Sequence, residues 1–382
     1  MNPALIAGGG LAGGAVAAIL AQAGRPPILL EREKEPRDKI CGECLSTEAQ
    51  AHLSALGLDL ARLGGAPIGG VRVIAGTRCA EAKLPFTALG LTRRRLDAAL
   101  LDHAESLGAK VERGVSVRAV APGALETSAG TLCSSAILLA SGKHDIRGAR
   151  RDADAAMPHV LKGMIGFKSY FRPGPAMLAA LEGFVEVVLF DGGYAGLQQV
   201  EGGVANLCLV VHRERFEAVG KSWPALLDHL LAEPHLGRRL GDAEELSSRP
   251  LTIADIPYGF THQAPDDPPG LFRLGDQAAV IPSFSGDGMA IALHSARLAA
   301  GALLAGADAA SYHVRLRRDV GRQIRLAIWL QRRAEGWPGR HAAVWGLRLV
   351  PGGIDRLASW TRVPKAALRR VGLDAAQSIP IR

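Results

Sequence analysis

The sequence predicts an α/β protein in which a Rossmann-like dinucleotide-binding domain carries an inserted, mainly antiparallel β domain and is followed by a helical carboxyl-terminal region. Two glycine clusters, at residues 8–13 and 275–289, each follow a short apolar run and precede a helix-forming run. Between them, residues 158–212 change to longer runs in which apolar and polar side chains alternate, as in half-buried strands. One extended dinucleotide bound by both clusters would account for their pairing.

The first glycine cluster has the context of a dinucleotide-binding turn, because the apolar run 3–7 precedes it and the helix-forming run 15–23 follows it. Gly8 permits a tight turn, Gly10 lets the backbone approach a diphosphate, and Gly13 allows a helix to pack closely on a strand. The amides at the helix N-terminus attract the phosphate charge. The alternatives are a turn that binds nothing, or an uncharged signal or membrane segment; the glycines and the missing basic start argue against the latter.

Glu31 supports the same interpretation. It ends the second apolar run, 18 residues after Gly13, near the spacing of about 20 residues expected for an acid that binds a ribose hydroxyl. An acid at this position disfavours a 2′-phosphate, so the turn is predicted to bind FAD or NAD rather than NADP.

The remaining elements follow in order along the chain. Ser46 is typical of a helix N-cap, and Gly108 is typical of a residue that ends a helix. We predict helices at residues 46–57, 93–107, 222–232, 286–304 and 308–334. We predict strands at residues 71–75, near 110–120, 124–127, 136–140, 164–171, 184–190, 204–211 and 271–274. The predicted organisation is a nucleotide domain at 1–157 and 266–310, a substrate domain at 158–265 and a helical basic region at 311–382.

Composition and charge narrow the class of protein. At 382 residues with 48% apolar side chains, the chain is long enough for two globular domains. Its five cysteines are scattered and no secretory signal is evident, which predicts a reducing, cytoplasmic location. The net charge of +8 is concentrated at the end: residues 311–382 hold 15 Lys and Arg against 4 Asp and Glu, with four of the five tryptophans.

This basic, tryptophan-containing tail has two interpretations. Basic residues mixed with Trp and Leu suit peripheral contact with an anionic membrane or with an acidic carrier protein. An ordinary helical cap, with a solvated arginine face and buried tryptophans, would have the same composition. Nucleic acid is not predicted as a partner, because no recognised binding module accompanies the charge.

Four motifs together resemble those of the FAD-dependent para-hydroxybenzoate-hydroxylase-type flavoprotein superfamily, which includes aromatic monooxygenases, and within it the geranylgeranyl-reductase-like branch. The motifs are residues 8–13 with Glu31, the run Lys-Ile-Cys-Gly-Glu at 39–43, the run Arg-Arg-Arg-Leu-Asp at 93–97, and residues 275–289. The resemblance covers roughly residues 3–310 and implies a noncovalently bound FAD.

The resemblance implies a role for each matching residue. Arg93 would face the FAD phosphate or ribityl chain, and Asp276 would accept hydrogen bonds from ribityl hydroxyls. The amides of Gly288 and Met289, at a helix N-terminus, would stabilise charge that develops on the reduced ring. The residues expected to bind the cofactor are Gly8, Gly10, Leu11, Ala12, Gly13, Glu31, Arg32, Lys39, Cys41, Gly42, Arg93, Gly142, Gly275, Asp276, Pro282, Gly286, Gly288 and Met289.

Cys41 and Tyr194 are the candidate catalytic residues. The resemblance places Cys41 close to the flavin ring, where it would contact the ring or donate a proton; core packing is the alternative. Cys41 and Cys44 also allow a dithiol mechanism, although the second nicotinamide domain of flavin disulfide reductases is missing. Tyr194 lies on a predicted sheet that would face the flavin, on the substrate side. No metal site is predicted, because the cysteine pair has no second ligand pair.

The sequence departs from the superfamily at three places. The strand turn at Ser141-Gly142 lacks the acid that many hydroxylases carry there, which weakens the inference of NAD(P)H handling. Residues 193–198 lack the aromatic-and-proline motif of archaeal geranylgeranyl reductases. The Trp-x-Trp-x-Ile-Pro run of flavin halogenases is absent, which argues against halogenation.

We therefore expect an FAD-dependent oxidoreductase that is reduced by NAD(P)H or another donor. The leading hypothesis is a monooxygenase that hydroxylates an apolar aromatic or polyketide-like substrate through a flavin C4a-hydroperoxide. Two further hypotheses stay open. One is a geranylgeranyl-reductase-like enzyme that saturates an isoprenoid or other C=C bond, and the other is a flavin-binding partner protein without turnover.

Overall fold

Strands and helices alternate through the first part of the chain, and the described residues of the last part form helices and their connections. The computed structural model describes residues 2–151, 160–263, 267–334, 337–350 and 352–373. The strands of the described residues are β1 (Leu5–Ala7), β2 (Ile28–Glu31), β3 (Cys44–Leu45), β4 (Ala66–Ala75), β5 (Arg78–Gly90), β6 (Lys110–Arg113), β7 (Val117–Ala121), β8 (Ala124–Thr127), β9 (Gly130–Cys133), β10 (Ile137–Leu139), β11 (Met164–Arg172), β12 (Gly183–Phe190), β13 (Gly193–Val200), β14 (Val204–His212), β15 (Glu244–Glu245), β16 (Leu251–Ala254) and β17 (Leu271–Arg273). The helices are α1 (Leu11–Gln22), α2 (Thr47–Ser54), α3 (Arg93–Ser106), α4 (Pro175–Leu181), α5 (Arg213–Ala218), α6 (Trp223–Leu231), α7 (Pro234–Leu240), α8 (Gly288–Leu304), α9 (Ala309–Ala334), α10 (Trp337–Leu349), α11 (Gly353–Trp360) and α12 (Lys365–Arg370).

A five-stranded parallel sheet forms the centre of the nucleotide domain, with the strand order β17-β10-β1-β2-β6. The order reverses at β1, which has β2 on one side and β10 on the other. In open parallel sheets this reversal leaves a crevice at the carboxyl ends of the strands, where ligands bind. Both predicted glycine clusters follow strands of this sheet, β1 and β17.

The two faces of this sheet pack against different layers. Ile6, Leu29 and Leu138 pack into the core with α1, α3 and α8, whereas Leu5 and Leu30 pack against the antiparallel sheet β7-β8-β9. The alternation follows from the strand geometry, because successive side chains point to opposite faces. The predicted Rossmann-like arrangement is therefore confirmed.

The second large sheet is mainly antiparallel, with the order β15-β11-β14-β13-β12-β4-β5-β3 and β16 beside β11. Only the β12–β4 pair among these strands is parallel. One face packs against α5, α6 and α7 through a core that includes Phe167 and Leu207. Strands β3, β4 and β5 join this sheet although they lie inside the predicted first nucleotide segment, so the sheet crosses that predicted boundary. The domain limits remain predictions.

The described residues after 308 are mainly helical, as expected. Helix α9 packs on α8, and α10 and α11 pack on β4 and β5 of the large sheet through Val344 and Ile354. Among the described residues, no helix combines the length and the apolar character needed to cross a bilayer. The predicted N-caps are also present, because the Ser46 and Ser222 hydroxyls each accept a hydrogen bond from a backbone amide of the helix that follows.

Candidate active site

A cavity of about 760 Å³ lies at the carboxyl ends of the parallel strands, between the two large sheets. Residues 8–12 and 275–276, from the two glycine clusters, form part of its wall, together with Glu31 and Ser141 after β2 and β10. The topology therefore brings together four segments that are far apart in the sequence, at the place where the strand order reverses.

The first glycine turn is shaped by close backbone contacts. Gly8 has φ +109°, in the region that favours glycine. A Cβ at Gly13 would lie 1.9 Å from the carbonyl oxygen of Gly8, so α1 can approach β1 only without that side chain. Gly10 is the N-cap of α1 and offers no side-chain cap, which leaves the first amides of α1 directed at the cavity.

Glu31 stands beside this turn as predicted. Its carboxylate accepts hydrogen bonds from the amide of Gly9 at 2.6 Å and from the amide of Glu33 at 3.0 Å. Both contacts use oxygen lone pairs and leave acceptor capacity for ribose hydroxyls. Arg32 next to it is half exposed and pairs with Glu33.

Two cations converge on the amino terminus of α1. Arg93 forms a bidentate ion pair with Asp97 at 2.9 Å, and Lys39 reaches the same carboxylate at 3.0 Å. Burial alone would raise the pKa of Asp97, but Arg93 and Lys39 hold that pKa below its usual value. Both cationic heads lie within 4 Å of the position of a Cβ on Gly10. Two positive charges and free helix amides at one point suit a diphosphate.

The second glycine cluster positions Asp276 on the opposite side of the cavity. Its carboxylate accepts a hydrogen bond from Lys143 at 2.9 Å. Burial would raise the pKa of Asp276, but Lys143 and then Arg151 lower it overall, so the carboxylate is ionised. Sequence reasoning missed Lys143, which lies in the turn after Ser141-Gly142 where many hydroxylases carry an acid.

Helix α8 begins at the cavity with its first amides uncapped. Its N-cap residue, Asp287, turns its carboxylate away from its own helix and accepts hydrogen bonds from Gln323 at 2.9 Å and from the amide of Val363 at 2.8 Å. Burial, and then Glu48, raise the pKa of Asp287. The amides of Gly288 and Met289 are therefore available to a ligand in the cavity.

The Cys41-Gly42 loop rests on a buried ion pair that the sequence analysis missed. Glu43 has no exposed side-chain surface and contacts the equally buried Lys168 at 2.5 Å. Tyr170 donates to the Glu43 carboxylate at 3.0 Å, and the amide of Arg93 donates to it at 2.7 Å. Glu43 also has φ +60°, a strained conformation for a non-glycine residue. A lysine inside an otherwise apolar strand run was the available signal.

The cysteines of the Cys-Gly-Glu-Cys run are free thiols. Cys41 lies on the cavity wall, where its sulfur accepts a hydrogen bond from the amide of Glu43 at 3.4 Å. Burial raises the pKa of Cys44 to about 11, so this thiol is protonated at neutral pH and is a poor nucleophile. The raised pKa argues against Cys44 as a thiolate nucleophile, and the roles of both cysteines at the flavin remain predictions.

Tyr194 lies on β13 and lines the cavity. Its hydroxyl contacts the Ser283 hydroxyl at 2.6 Å and accepts a hydrogen bond from the amide of Phe284 at 3.3 Å. Tyr258 donates to the same Ser283 oxygen. Burial raises the pKa of Tyr194 to about 12. This network fixes the phenol against the turn before α8, and its predicted catalytic role stays a prediction.

Most of the residues predicted to bind the cofactor line this one cavity, and two do not. Gly13 lies behind the turn and acts through packing. Pro282 is buried and begins the short turn 283–285, where its carbonyl accepts from Ser285. Those that line the cavity are Gly8, Gly10, Leu11, Ala12, Glu31, Arg32, Lys39, Cys41, Gly42, Arg93, Gly142, Gly275, Asp276, Gly286, Gly288 and Met289.

One group of possible metal ligands lies away from the cavity. The ligand atoms of His262, Asp267 and His313 lie within 4.8 Å of one another. Asp267 already pairs with Arg273 at 2.8 Å, and the His313 Nε2 accepts a hydrogen bond from the amide of Arg273. These contacts already use the Asp267 carboxylate and the His313 Nε2, so we interpret the group as an ion-pair and hydrogen-bond network.

The space around three glycines of the cavity wall shows whether the site can accept FAD. Gly10, Gly42 and Gly288 do not have positive φ, and a Cβ at Gly42 or Gly288 would meet nothing within 4 Å. The fold itself therefore does not require glycine at Gly42 or Gly288. Close approach of a ligand to the backbone explains why these positions carry no side chain. The residues present fit FAD: the α1 turn would hold its diphosphate, and the start of α8 would receive its ring.

Comparisons with known proteins agree with this geometry. The family described as an FAD binding domain matches residues 1–132. A flavin-dependent halogenase, armH3 of Armillaria mellea, is 25% identical over 341 residues, which cover 79% of this chain and 67% of that protein. Among solved structures, the myxobacterial chondrochloren halogenase CndH has a TM-score of 0.71 at 20% identity, with 97% of this chain and 95% of that chain covered. The flavin-dependent brominase Bmp2 has a TM-score of 0.72 at 18% identity, with 95% and 94% covered.

These similarities extend over nearly the whole chain in the solved structures, where they establish the fold. The segment that matches the FAD-binding family, residues 1–132, contains the first glycine turn, Glu31 and the motifs at 39–43 and 93–97. Residues 1–132 thus match the FAD-binding domain that the sequence motifs predict, and the chain has the fold of the flavin-dependent enzymes named above.

Proposed function

We propose that this protein is an FAD-dependent monooxygenase that hydroxylates an apolar, electron-rich aromatic substrate. The observation that supports this most strongly is the continuity of the cavity. The same space that is lined by the FAD loops extends to Val73, Val187 and Leu189 of the large sheet and to Leu347 and Leu357 of the carboxyl-terminal helices. A substrate in this apolar chamber would be in direct reach of the flavin.

The chain's own residues would position the reactants and exclude water. The diphosphate would lie between the α1 amides and Arg93, and Glu31 would accept from the ribose. Bound FAD, once reduced, would give two electrons to O2, so that one oxygen atom enters the substrate and the other leaves as water. The α8 amides at Gly288 and Met289 would stabilise negative charge on the ring. The valine and leucine side chains of the chamber would keep bulk water away from the reacting atoms.

Halogenation is the second candidate, and the relatives favour it. The curated relative and the similar solved structures named above are described as halogenases or a brominase. The missing Trp-x-Trp-x-Ile-Pro run argues in the other direction. Both reactions begin with reduced flavin and oxygen; they differ in whether the substrate or a halide accepts the oxygen.

One assay separates these candidates. FAD-loaded protein is supplied with NADPH or NADH, or with FAD kept reduced by a separate flavin reductase, and with a panel of alkylphenols in air, with and without bromide. We expect oxygen uptake and a product that gains one oxygen atom in both media. A product in which bromine replaces hydrogen, recognised by its isotope pattern, would support halogenation and refute hydroxylation. If the bound FAD is reduced only when the separate reductase is present, NAD(P)H is not its direct electron donor.

A C=C reductase and a non-catalytic flavin-binding protein would each give a different result. Saturation of an isoprenoid double bond without oxygen would identify the reductase that the Cys41-Gly42 loop suggests. FAD binding without turnover in any of these mixtures would support the non-catalytic partner protein and refute the proposal.

A further inference from the structure

The carboxyl-terminal helices separate the apolar chamber from the outside of the molecule. Leu347, Ile354 and Leu357 of α10 and α11 face the cavity. Val344 and Ile354 pack in a small core with Val71 of the large sheet. The inner face of these two helices therefore packs against the large sheet and lines the chamber, whereas their outer face has no partner among the described residues.

The outer surface of the same region carries the most exposed apolar side chains of the described residues. Elsewhere, only three large hydrophobic residues count as exposed, each at 37%. On α9, α10 and α11 and the residue after α10, six are exposed at 49–59%: Val314, Trp329, Trp345, Leu349, Val350 and Trp360. We call Trp345, Leu349, Val350 and Trp360 the aromatic edge. The expectation of buried tryptophans, in the helical-cap interpretation of the tail, fails for Trp329, Trp345 and Trp360.

A line of arginines runs along α9. Arg315, Arg318, Arg322 and Arg325 are all exposed, and their spacing of three or four residues places them on one helix face. We call them the arginine stripe. Among the described residues, no carboxylate forms an ion pair with any of the four. Trp329 continues the same face four residues later, and the Arg333 guanidinium lies 5.2 Å from its ring centre.

We propose that the outward face of α9, α10 and α11 is a docking surface for an anionic phospholipid bilayer. Uncompensated arginines attract anionic lipid, and half-exposed Trp and Leu side chains are stabilised at the bilayer interface. The stripe extends about 15 Å along α9, and Trp329 lengthens the same face to about 21 Å. An acidic protein would also match the arginines, and the experiment below separates it from a lipid surface.

Docking would place the wall of the chamber at the lipid surface, because α10 and α11 carry both the aromatic edge and the chamber lining. An apolar substrate could then pass from the bilayer to the cavity. This second step rests on the proposed function, whereas the docking does not. Vesicle binding is therefore measured without substrate or turnover.

The test uses the full-length, FAD-loaded protein and two kinds of vesicle, phosphatidylcholine alone and phosphatidylcholine with phosphatidylserine. We expect co-sedimentation with the anionic vesicles only, weakened by salt. Replacing Arg318, Arg322 and Arg325 by Gln should lower the partition coefficient by on the order of 100-fold, at about fivefold for each arginine. The variant Trp345→Ser with Leu349→Ser should lower it by about tenfold.

A matched variant controls for net charge. Arg94→Gln with Arg118→Gln and Arg238→Gln removes the same charge from exposed positions on other elements, and its binding should stay within about twofold of the wild type. All these side chains are exposed, so the Tm of each variant should not change. The proposal is overturned if the wild type does not bind anionic vesicles, or if the two arginine variants bind equally. Binding to an acidic acyl carrier protein in place of vesicles would assign the face to a protein partner and also overturn it.

Discussion

The sharpest test of the flavin site is Gly288→Ala. Gly288 begins α8 at the cavity, and a Cβ there would meet no protein atom within 4 Å. The apoprotein should therefore tolerate the methyl group, and alanine in place of glycine stabilises a helix by up to about 1 kcal/mol. The FAD-bound protein should not tolerate the methyl group, because the methyl would occupy space that the flavin ring needs.

The expected cost follows from the contacts at this helix end. Displacing the flavin from the amides of Gly288 and Met289 removes one or two hydrogen bonds, about 1–3 kcal/mol in total. That corresponds to an increase in the Kd for FAD of about fivefold to 150-fold. We propose to measure the Kd by quenching of FAD fluorescence and the Tm of the apoprotein by circular dichroism.

Gly301→Ala is the matched control. Gly301 lies near the other end of α8, and a Cβ there also meets nothing within 4 Å. This variant should keep or slightly raise the Tm and leave the Kd for FAD unchanged. If Gly288→Ala binds FAD as tightly as the wild type, the flavin does not approach the start of α8, and the assignment of its ring site is wrong.

Three further predictions concern the turn, the ribose site and the large sheet. Gly13→Ala should abolish cooperative unfolding, because its Cβ would lie 1.9 Å from the Gly8 carbonyl oxygen and such overpacking costs about 3 kcal/mol or more; a normal unfolding transition would contradict the geometry. Glu31→Gln should raise the Kd for FAD about tenfold through a weaker bond to the ribose, and it should also lower the apoprotein Tm, because the single Gln oxygen can accept from only one of the Gly9 and Glu33 amides; an unchanged Kd would show that Glu31 does not bind the ribose. Burial would raise the pKa of Glu186, but His235 and Arg239 lower it to about 2. Glu186→Gln should therefore lower the free energy of unfolding by about 3 kcal/mol above pH 4.5. This difference should shrink as the pH falls towards 2, and denaturant titrations that show no such pH dependence would refute it.

The sequence alone was sufficient for the local structure of the FAD domain. The turn at Gly8 and Gly13 depends on backbone sterics, which a strand–glycine–helix pattern shows directly. Ser46 and Ser222 cap helices through atoms three residues away, and such contacts are also local. Apolar periodicity was enough to predict α9: the sequence predicts a helix at 308–334, and the structure has one at Ala309–Ala334.

The partners of the site residues were not visible in the sequence. Lys168 pairs with Glu43, and Lys143 pairs with Asp276, across separations of more than a hundred residues. Nothing in the sequence near either lysine specifies its partner, because such pairs form only where strands from different segments become neighbours. The Cys41 loop was recognised by its resemblance to a family, but the ion pair beneath it was not.

What the sequence determined is the cofactor class, since a diphosphate-binding turn is built from a few consecutive residues whose backbone must be bare. The tertiary structure alone decided that β4 pairs with β12, which joins β3, β4 and β5 to the large sheet, and that α10 and α11 close the chamber above them. It also decided which side of each carboxyl-terminal helix is exposed. These features depend on contacts between distant segments, and the entropy lost in bringing such segments together is recovered only by packing that involves the whole fold.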